Sequence, residues 1–439
     1  MKGEPDFLQN LRDEMGDGRQ WLDRAIVIGY AVLAGLAVVG FTLLADAAFE
    51  LYQRMRGAVW WSPLIWTPAL TALIVWATRR WAPGAAGSGV PQVLAALAPE
   101  TPIATRSRFV SLRLSLAKIL AVSGGLLAGL SIGRQGPSVQ VAAGVMLHAK
   151  RWLSPKTDIS ARELLVAGGA AGIAAAFNTP LGGIVFAIEE LSRRVQDRSS
   201  GLMLAAIVIA GLVAVSAFGN LSYFGRVRAE GVSWWALLGP GLLVAISAGL
   251  LGGLLSRLML ASFTGLPDRY CAYRRKRPVV FAALCGFAVA VIAVVTDGEA
   301  VGVGHQHTQD LLNTPTDANH TPLLFTGLKF IASWLSGWAG VPGGLFGPSL
   351  SIGAGLGADV AWLLDSPHGP ALIALGMCGF LAAVTQTPIT AMIIVMEMTD
   401  GHSMVLSLIT CALLSSLVSR MISRPLYSTM AMLMLRRVA

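Results

Sequence analysis

The stretch SGGLLAGLSIGRQGPSVQVAAGV (residues 123–145) places an arginine, glutamines, glycines and a proline inside a long apolar run. It resembles SGWAGVPGGLFGPSLSIGAGL (residues 336–356), in which a second Gly-Pro pair falls at the matching place. Downstream, AAGIAAAFNTPLGGIVFAIEEL (170–191) resembles MCGFLAAVTQTPITAMIIVMEMT (377–399), and both pairs are offset by about 210 residues. Two nearly equal offsets predict a duplicated chain, with one membrane repeat at 25–220 and a second, inverted repeat at 221–439.

The composition is that of a membrane protein. Of 439 residues, 54% are hydrophobic and 13% are charged, whereas soluble proteins carry about 25% charged residues. A spanning helix needs about 20 apolar residues, and long apolar runs lie near 25–49, 63–78, 202–217, 236–261, 279–295, 322–339 and 404–420. Shorter runs, predicted to be half-spanning or re-entrant inside a protein-lined cavity, lie at 138–149, 164–177, 180–191, 347–364, 371–384 and 387–398.

The charged segments predict how the chain is oriented. Residues 1–24 mix acids and bases without the apolar core of a signal peptide, which predicts a cytoplasmic segment, either a surface helix or a tail. The net charge is +9, and basic clusters such as Arg274–Arg277 lie between apolar runs. Because basic loops stay in the cytoplasm, we expect both termini there, in an inner (plasma) membrane, and no nucleic-acid partner.

Metal and cofactor sites are not expected. The four cysteines lack CxxC or histidine spacing and are interpreted as small buried hydrophobes. His305 and His307 lie two residues apart, but no third ligand accompanies them in the sequence. Nucleophile–base pairs, HExxH and clustered carboxylates are also missing from the sequence, so we do not expect an enzyme.

Three glycine-proline motifs predict helix starts inside the membrane: GSGVP (87–91), GRQGP (133–137) and GLFGP (344–348). Glycine permits close backbone approach, and proline fits the first helical turn. A helix N-terminus offers free N–H groups and a partial positive charge, which suits an anion. Three such termini that converge would bind an anion weakly enough to release it. A cation-coupled solute transporter, the alternative with broken helices, needs acidic or carbonyl ligands that are not evident.

These motifs, with FNTPLGGIVFAIEE, EMTD and RPLY (424–427), resemble the signatures of the CLC family of chloride channels and H+/Cl− antiporters. The resemblance covers about residues 25–435 and is to bacterial members without cytoplasmic CBS domains. It implies an all-α, inverted-repeat fold of about 18 tilted and partly re-entrant helices. It also implies a homodimer in the lipid bilayer, with a separate chloride pore in each subunit.

The resemblance assigns roles to individual residues. The hydroxyls of Ser88 and Tyr427 would coordinate a central chloride, facing the backbone amides of Leu345 and Phe346. The backbone around Arg134 and Gly136 would form an external chloride site, with Arg134 contributing a positive field. Serine at position 88 matches chloride-preferring members, and a nitrate- or fluoride-preferring protein is the alternative. The supporting residues would be Gly87, Gly89, Lys118, Gly133, Pro137, Gly344 and Gly347.

Acidic residues and one glutamine decide the transport mode. Glu190 matches the internal proton-transfer glutamate of the family. For Glu189, the alternative to a transport role is an ion pair with Arg193 and Arg194 at the cytoplasmic interface. Gln135 stands at the gating position, where coupled members have a glutamate. A carboxylate can both mimic chloride and carry a proton, whereas an amide does not titrate.

The resemblance therefore implies passive chloride transport for the sequence as it stands, with protons as a second substrate only if position 135 is a glutamate. Gln135 is then either a substitution in a Cl−/H+ exchanger or the natural residue of a channel-like member.

Overall fold

The computed structural model describes residues 18–99, 101–192, 200–219, 223–225, 227, 234–265, 269–313 and 323–438. Throughout these ranges the chain is helical and contains no strand beyond an isolated bridge between Gly133 and Gly344. Eighteen helices are longer than one turn in the described part, which confirms the predicted fold class. Residues 1–17, most of the predicted N-terminal segment, lie outside the described ranges.

The first half contributes α1 Gly18–Ala58, α2 Pro63–Trp81, α3 Val90–Leu97, α4 Leu112–Leu127, α5 Gln135–His148, α6 Ala161–Phe177, α7 Pro180–Phe186 and α8 Ser200–Phe218. A π-helical turn, Ala187–Ser192, continues α7. The second half contributes α9 Trp234–Thr264, α10 Arg269–Lys276, α11 Pro278–Val295, α12 His305–Asn313, α13 Leu324–Ala339, α14 Phe346–Leu363, α15 Gly369–Thr385, α16 Pro388–Met398, α17 Val405–Ile422 and α18 Leu426–Val438.

Helix lengths follow most of the apolar runs of the sequence. Among the residues that the structure describes, five helical segments are long and apolar enough to cross a membrane by length and composition: Gly18–Ala58, Gly201–Phe218, Trp235–Thr264, Pro278–Val295 and His402–Ile422. The long runs at 63–78 and 322–339 form α2 and α13, of 19 and 16 residues, which are not among these five. The short runs form α5, α6, α7, α14, α15 and α16, none longer than 18 residues. Helices α5, α6, α14 and α15 are largely buried inside the protein, whereas α7 and α16 also expose apolar side chains, among them Leu181 and Ile389.

Packing pairs the two halves of the chain. Helix α5 packs on α6 as α14 packs on α15, and α6 packs on α8 as α15 packs on α17. Between the halves, α2 contacts α11 and α7 contacts α16. Glycine allows the closest approach, since a Cβ on Gly353 would collide with the Gly376 carbonyl. The repeat boundaries at 25–220 and 221–439 stay a prediction.

Helices α7 and α16 cap each other with carboxylates. Glu397, at the end of α16, accepts hydrogen bonds from the amides of Leu181 (3.3 Å) and Gly182 (2.8 Å) in the first turn of α7. Glu189, at the end of α7, accepts from both the amide and the hydroxyl of Thr390 at 2.7 Å in the first turn of α16. A carboxylate at a helix N-terminus satisfies free N–H groups and complements the helix dipole.

Candidate functional site

The three glycine-proline loops meet in the middle of the protein. Gly133 and Gly344 exchange two backbone hydrogen bonds, of 2.8 and 2.7 Å, which join the loops before α5 and α14. The Gly343 amide donates to the Gly87 carbonyl at 3.3 Å, which adds the loop before α3. The N-termini of α3, α5 and α14 therefore converge on one region, although α14 begins more than 200 residues after the other two.

Two glycines make this convergence possible. Gly89 has a φ of +117°, and a Cβ there would lie 2.5 Å from the Gly136 carbonyl oxygen. A Cβ on Gly136 would lie 2.5 Å from the Ser88 hydroxyl. The Pro137 ring fills the first turn of α5, and its Cδ would lie 2.8 Å from a Cβ on Gly344. Any side chain at these glycines would separate the loops.

Ser88 and Tyr427 present neighbouring hydroxyls, neither of which makes a hydrogen bond of standard geometry to a residue that the structure describes. They are 6% and 1% exposed. The Tyr427 ring stacks on Phe346 (5.8 Å between centroids), and Leu345 lines the same cavity as both hydroxyls. Because buried polar groups ordinarily find a partner, two adjacent unpaired hydroxyls beside a helix N-terminus fit a bound anion.

That cavity, of about 700 Å³, opens past Ser88 and Tyr427 and is named here the arginine vestibule. Its charged lining, among the residues that the structure describes, is cationic and consists of Arg108, Arg113, Arg274 and Arg437. The rest of the wall is largely apolar, so the positive field is weakly screened and raises the local concentration of anions.

Gln135 lies between the first turns of α5 and α14. Its side chain is 1% exposed, and its Oε1 would lie 2.6 Å from a Cβ on Gly133 and 3.0 Å from a Cβ on Gly347. Within the described residues, Oε1 has no hydrogen-bond partner. The two glycines therefore make room for the amide, which fills the passage between two helix N-termini.

Arg134 is held away from the two hydroxyls. Its guanidinium forms an ion pair with Asp46 of α1 and donates to the Tyr223 hydroxyl at 3.0 Å, and the side chain is 4% exposed. The backbone of Arg134 precedes α5 at the external end of the predicted site, whereas its charge is largely neutralised by Asp46. The predicted role in binding chloride therefore stays with the backbone.

A second cavity, of about 660 Å³, lies on the Arg134 side and is named here the acidic vestibule. Its acidic lining residues are Asp46, Glu50, Asp297, Glu299 and Asp310. Burial raises the pKa of Glu299, and the nearby carboxylates of Asp297 and Asp310 raise it further. Arg56 and Arg134 also line this vestibule and pair with Asp297 and Asp46, so its net charge is negative, whereas that of the arginine vestibule is positive.

Two fully buried lysines brace the glycine loops. Lys118 donates to the Gly87 carbonyl at 2.7 Å and so supports the loop before α3. Lys329 donates to the carbonyls of Val301 (3.1 Å) and Gly302 (2.8 Å), just before α12. Lys329 was missed in the sequence, although it precedes α14 by the same 17 residues that separate Lys118 from α5.

Glu190 lies apart from the arginine vestibule. It is 8% exposed and faces a separate cavity of about 810 Å³ that Gln386, Arg420 and Arg424 also line. Its neighbour Glu189 is bound to α16 as described above. The alternative partners of Glu189, Arg193 and Arg194, lie outside the described residues.

The two histidines of the GHQHTQD motif pack on aromatic rings. His305 lies 4.3 Å from the Tyr223 ring and 5.0 Å from the Phe224 ring, and His307 lies 3.8 Å from the Phe325 ring (centroid distances). No group of three potential metal ligands occurs among the residues described. The place of His305 beside Gln135 was not foreseen, because it depends on packing between the two halves.

Comparison with known proteins identifies the class of transporter. The chain is 29% identical over 422 residues to the H(+)/Cl(−) exchange transporter ClcA of Vibrio vulnificus, covering 90% of this chain and 86% of the relative. It is 30% identical over 431 residues to ClcA of Cronobacter sakazakii, covering 91% and 86%. These relatives are transporters rather than enzymes.

Solved structures share the fold. A slow cyanobacterial Cl−/H+ antiporter matches with a TM-score of 0.80 at 21% identity over 94% of this chain and 98% of that one. A CLC-type fluoride/proton antiporter matches with a TM-score of 0.72 at 17% identity, covering 98% and 99%. The sequence model of the voltage gated chloride channel family matches residues 70–420, so this chain is a membrane protein of the CLC family of anion transporters.

Proposed function

We propose that this chain carries chloride passively across the membrane, through a pore in each subunit, without exchanging protons. The path would run from the arginine vestibule, past the Ser88 and Tyr427 hydroxyls, to Gln135 and the acidic vestibule. Between the two vestibules, helix N-termini and hydroxyls would hold the ion weakly enough for its release.

The position of Gln135 carries this proposal. Its amide fills the passage between the first turns of α5 and α14, with Oε1 unpaired. A carboxylate at this place would compete with chloride and could pick up a proton, whereas an amide does neither at working pH. Glu190 would then have no titratable partner at the far end of a proton path.

Paired flux measurements test the proposal. The purified protein is reconstituted in liposomes with a chloride gradient, and chloride efflux and proton movement are followed together with valinomycin and K+ present. We expect chloride efflux without uphill proton movement. Uphill proton movement driven by the chloride gradient through the unmodified chain would refute passive transport.

Three variants sharpen the test. Gln135→Glu should restore proton movement if the parent is an exchanger, and Gln135→Leu, which cannot titrate, should not. Gln135→Glu combined with Glu190→Gln should lose proton movement but keep chloride flux. If Gln135→Glu still moves no protons, Gln135 is the natural residue of a channel-like member rather than a substitution in an exchanger.

The same liposomes decide between anions. Chloride, nitrate and fluoride efflux are compared at equal gradients. Because Ser88 and Tyr427 offer neutral hydroxyl donors, we expect chloride to be preferred. A larger nitrate or fluoride flux would support the alternative substrate.

We also propose that the arginine vestibule faces the cytoplasm, because basic segments surround it. The four native cysteines are buried, so added cysteines report topology. An impermeant maleimide on intact cells should label Asp310→Cys and spare Arg436→Cys, and the opposite pattern would reverse the orientation.

A homodimer would cover exposed apolar side chains on α7 and α16, such as Leu181 and Ile389. Light scattering in detergent should then give the mass of two chains.

A further inference from the structure

A small closed cavity behind Gln135 contains two unsatisfied polar atoms. The cavity is about 10 Å³ in volume, and Gln135, His305, Thr308 and Gly347 contribute to its lining. Gln135 Oε1 and His305 Nδ1 are both buried and without a hydrogen-bond partner among the described residues. Thr308 is not a free partner for either atom, because its hydroxyl donates to the Gly304 carbonyl at 2.8 Å.

The imidazole of His305 is fixed in this place. His305 is the first residue of α12, directly after Gly304, which has a φ of +84°. Its ring packs between Tyr223 and Phe224, with centroid distances of 4.3 and 5.0 Å. A ring held on two aromatic neighbours keeps its nitrogens at constant positions relative to Gln135.

We propose that His305 is a positioning residue for Gln135, and that its Nδ1 is hydrogen-bonded to Gln135 Oε1 either directly or through one water molecule. A cavity of about 10 Å³ is close to the smallest that holds a single water, and two unsatisfied polar atoms are what such a water needs. Gln135 can only accept through Oε1, so Nδ1 would carry the proton toward it. This inference rests on the proposed function, in which Gln135 borders the anion path.

Protonation of His305 would make this bond stronger and bring a positive charge to the path. The bond would then be charge-assisted, which makes it roughly twice as strong. In coupled relatives the titratable group is the gating carboxylate, whereas here it would be the neighbouring imidazole of His305. Protonation of this imidazole would control chloride flux without carrying protons across the membrane.

The surrounding charges set where this protonation occurs. Burial, and to a smaller extent the positive charge of Arg134, lower the pKa of His305 from 6.5 to about 4. Helix α12 packs against α14 and α15. The other titratable or charged groups around His305 are Asp46, Glu50, Arg56, Tyr223, Asp297, Glu299, His307, Asp310, Lys329 and Asp359. We therefore expect His305 to be neutral at pH 7 and to become charged near pH 4.

Chloride efflux from liposomes, with both faces at the same pH between 7 and 3.5, tests the inference in the full chain. The rate should rise about fivefold as a neutral hydrogen bond becomes charge-assisted, with the midpoint near pH 4. His305→Asn keeps a polar group near the Nδ1 position and should keep the neutral-pH rate but lose the rise. His305→Phe keeps the ring packing and should lose both.

Glu299→Gln is the matched control, because Glu299 borders the acidic vestibule and also titrates in acid. It should retain the acid-dependent rise. The inference is overturned if His305→Asn and His305→Phe keep the rise, or if Glu299→Gln removes it. If the unmodified chain carries no chloride, the proposed function fails, and the structural measurement below still tests the bond.

A high-resolution structure at neutral pH gives an independent readout. We expect His305 Nδ1 and Gln135 Oε1 within hydrogen-bond distance, or one ordered water between them, and a displaced Gln135 amide in His305→Phe. An unchanged Gln135 amide in His305→Phe, with no water linking the two side chains, would overturn the inference.

Discussion

Replacing Glu397 or Glu189 by glutamine should destabilise the protein while leaving the pore residues in place. Glu397 accepts from two amides of α7, and Glu189 accepts from two amides of α16, at 3.2 and 2.7 Å, and from the Thr390 hydroxyl. Both helices start with proline, which has no N–H, so these carboxylates satisfy the next free donors. These five hydrogen bonds together hold the halves of the chain at the contact between α7 and α16.

The hydrogen bonds set the expected magnitude. A hydrogen bond to a charged group contributes about 1.5–3 kcal/mol, and a carboxylate at a helix N-terminus adds about 0.3–1 kcal/mol. Glutamine keeps one acceptor oxygen, but its NH2 group replaces the other and cannot accept a hydrogen bond from the helix amides. We therefore expect Glu397→Gln to lower the free energy of unfolding by about 2 kcal/mol, and Glu189→Gln, which loses a third partner, by about 3 kcal/mol.

Unfolding by sodium dodecyl sulphate in mixed micelles, followed by helical circular dichroism, measures these losses. Glu50→Gln is the matched control, because Glu50 forms an exposed pair with Arg54 on one helix, and such pairs contribute about 0–1 kcal/mol. If Glu397→Gln and Glu189→Gln destabilise no more than Glu50→Gln, the carboxylates do not cap the opposite helices and this reasoning fails.

Four further substitutions test the path and one of its supporting contacts. Ser88→Ala and Tyr427→Phe remove hydroxyls that have no hydrogen-bond partner among the described residues. Calorimetry should therefore show that each variant binds chloride several-fold more weakly, with stability within about 0.5 kcal/mol of the parent. A matching loss of stability would show that the hydroxyls are structural. Gly347→Ala would place a Cβ 3.0 Å from Gln135 Oε1, and chloride efflux should fall while the circular dichroism spectrum is kept; an unchanged rate would contradict a path through this gap. Lys329→Met should destabilise by about 2 kcal/mol in the micelle assay, because two buried carbonyls lose their donor; a neutral effect would mean that water replaces the lysine.

The parts of the site that are local in sequence were predictable. Gly87, Gly133 and Gly344 predict loops, and the prolines that follow them predict helix starts. The backbone preferences of glycine and proline act within a few residues, so they can be read from the sequence alone. The apolar runs likewise predicted most of the long and short helices, although the run at 322–339 forms a helix of only 16 residues. Each of these signals lies within one segment of the chain, so no knowledge of tertiary packing was needed.

The contacts that cross between distant segments could not be read in this way. Arg134 pairs with Asp46, 88 residues away, and Gln135 lies beside His305 only because α12 packs against α14. In the sequence, His305 stood out only because it lies two residues from His307, a spacing that could belong to a metal site. A one-dimensional pattern gives the spacing of residues on one element, but partners on other elements depend on how the helices dock.

The paired lysines suggest how a duplicated chain builds an asymmetric path. Lys118 and Lys329 hold corresponding loops, yet the loop held by Lys118 presents the Ser88 hydroxyl, whereas the loop held by Lys329 leads to His305. The same scaffold thus places a neutral anion ligand on the side of the arginine vestibule and a titratable ring on the side of the acidic vestibule. Because both loops are fixed by buried ammonium groups rather than by pore residues, the chemistry at each end can change without disturbing the convergence of the helix N-termini. A glutamine at position 135 is compatible with this arrangement, since the amide needs only the space that Gly133 and Gly347 leave for it.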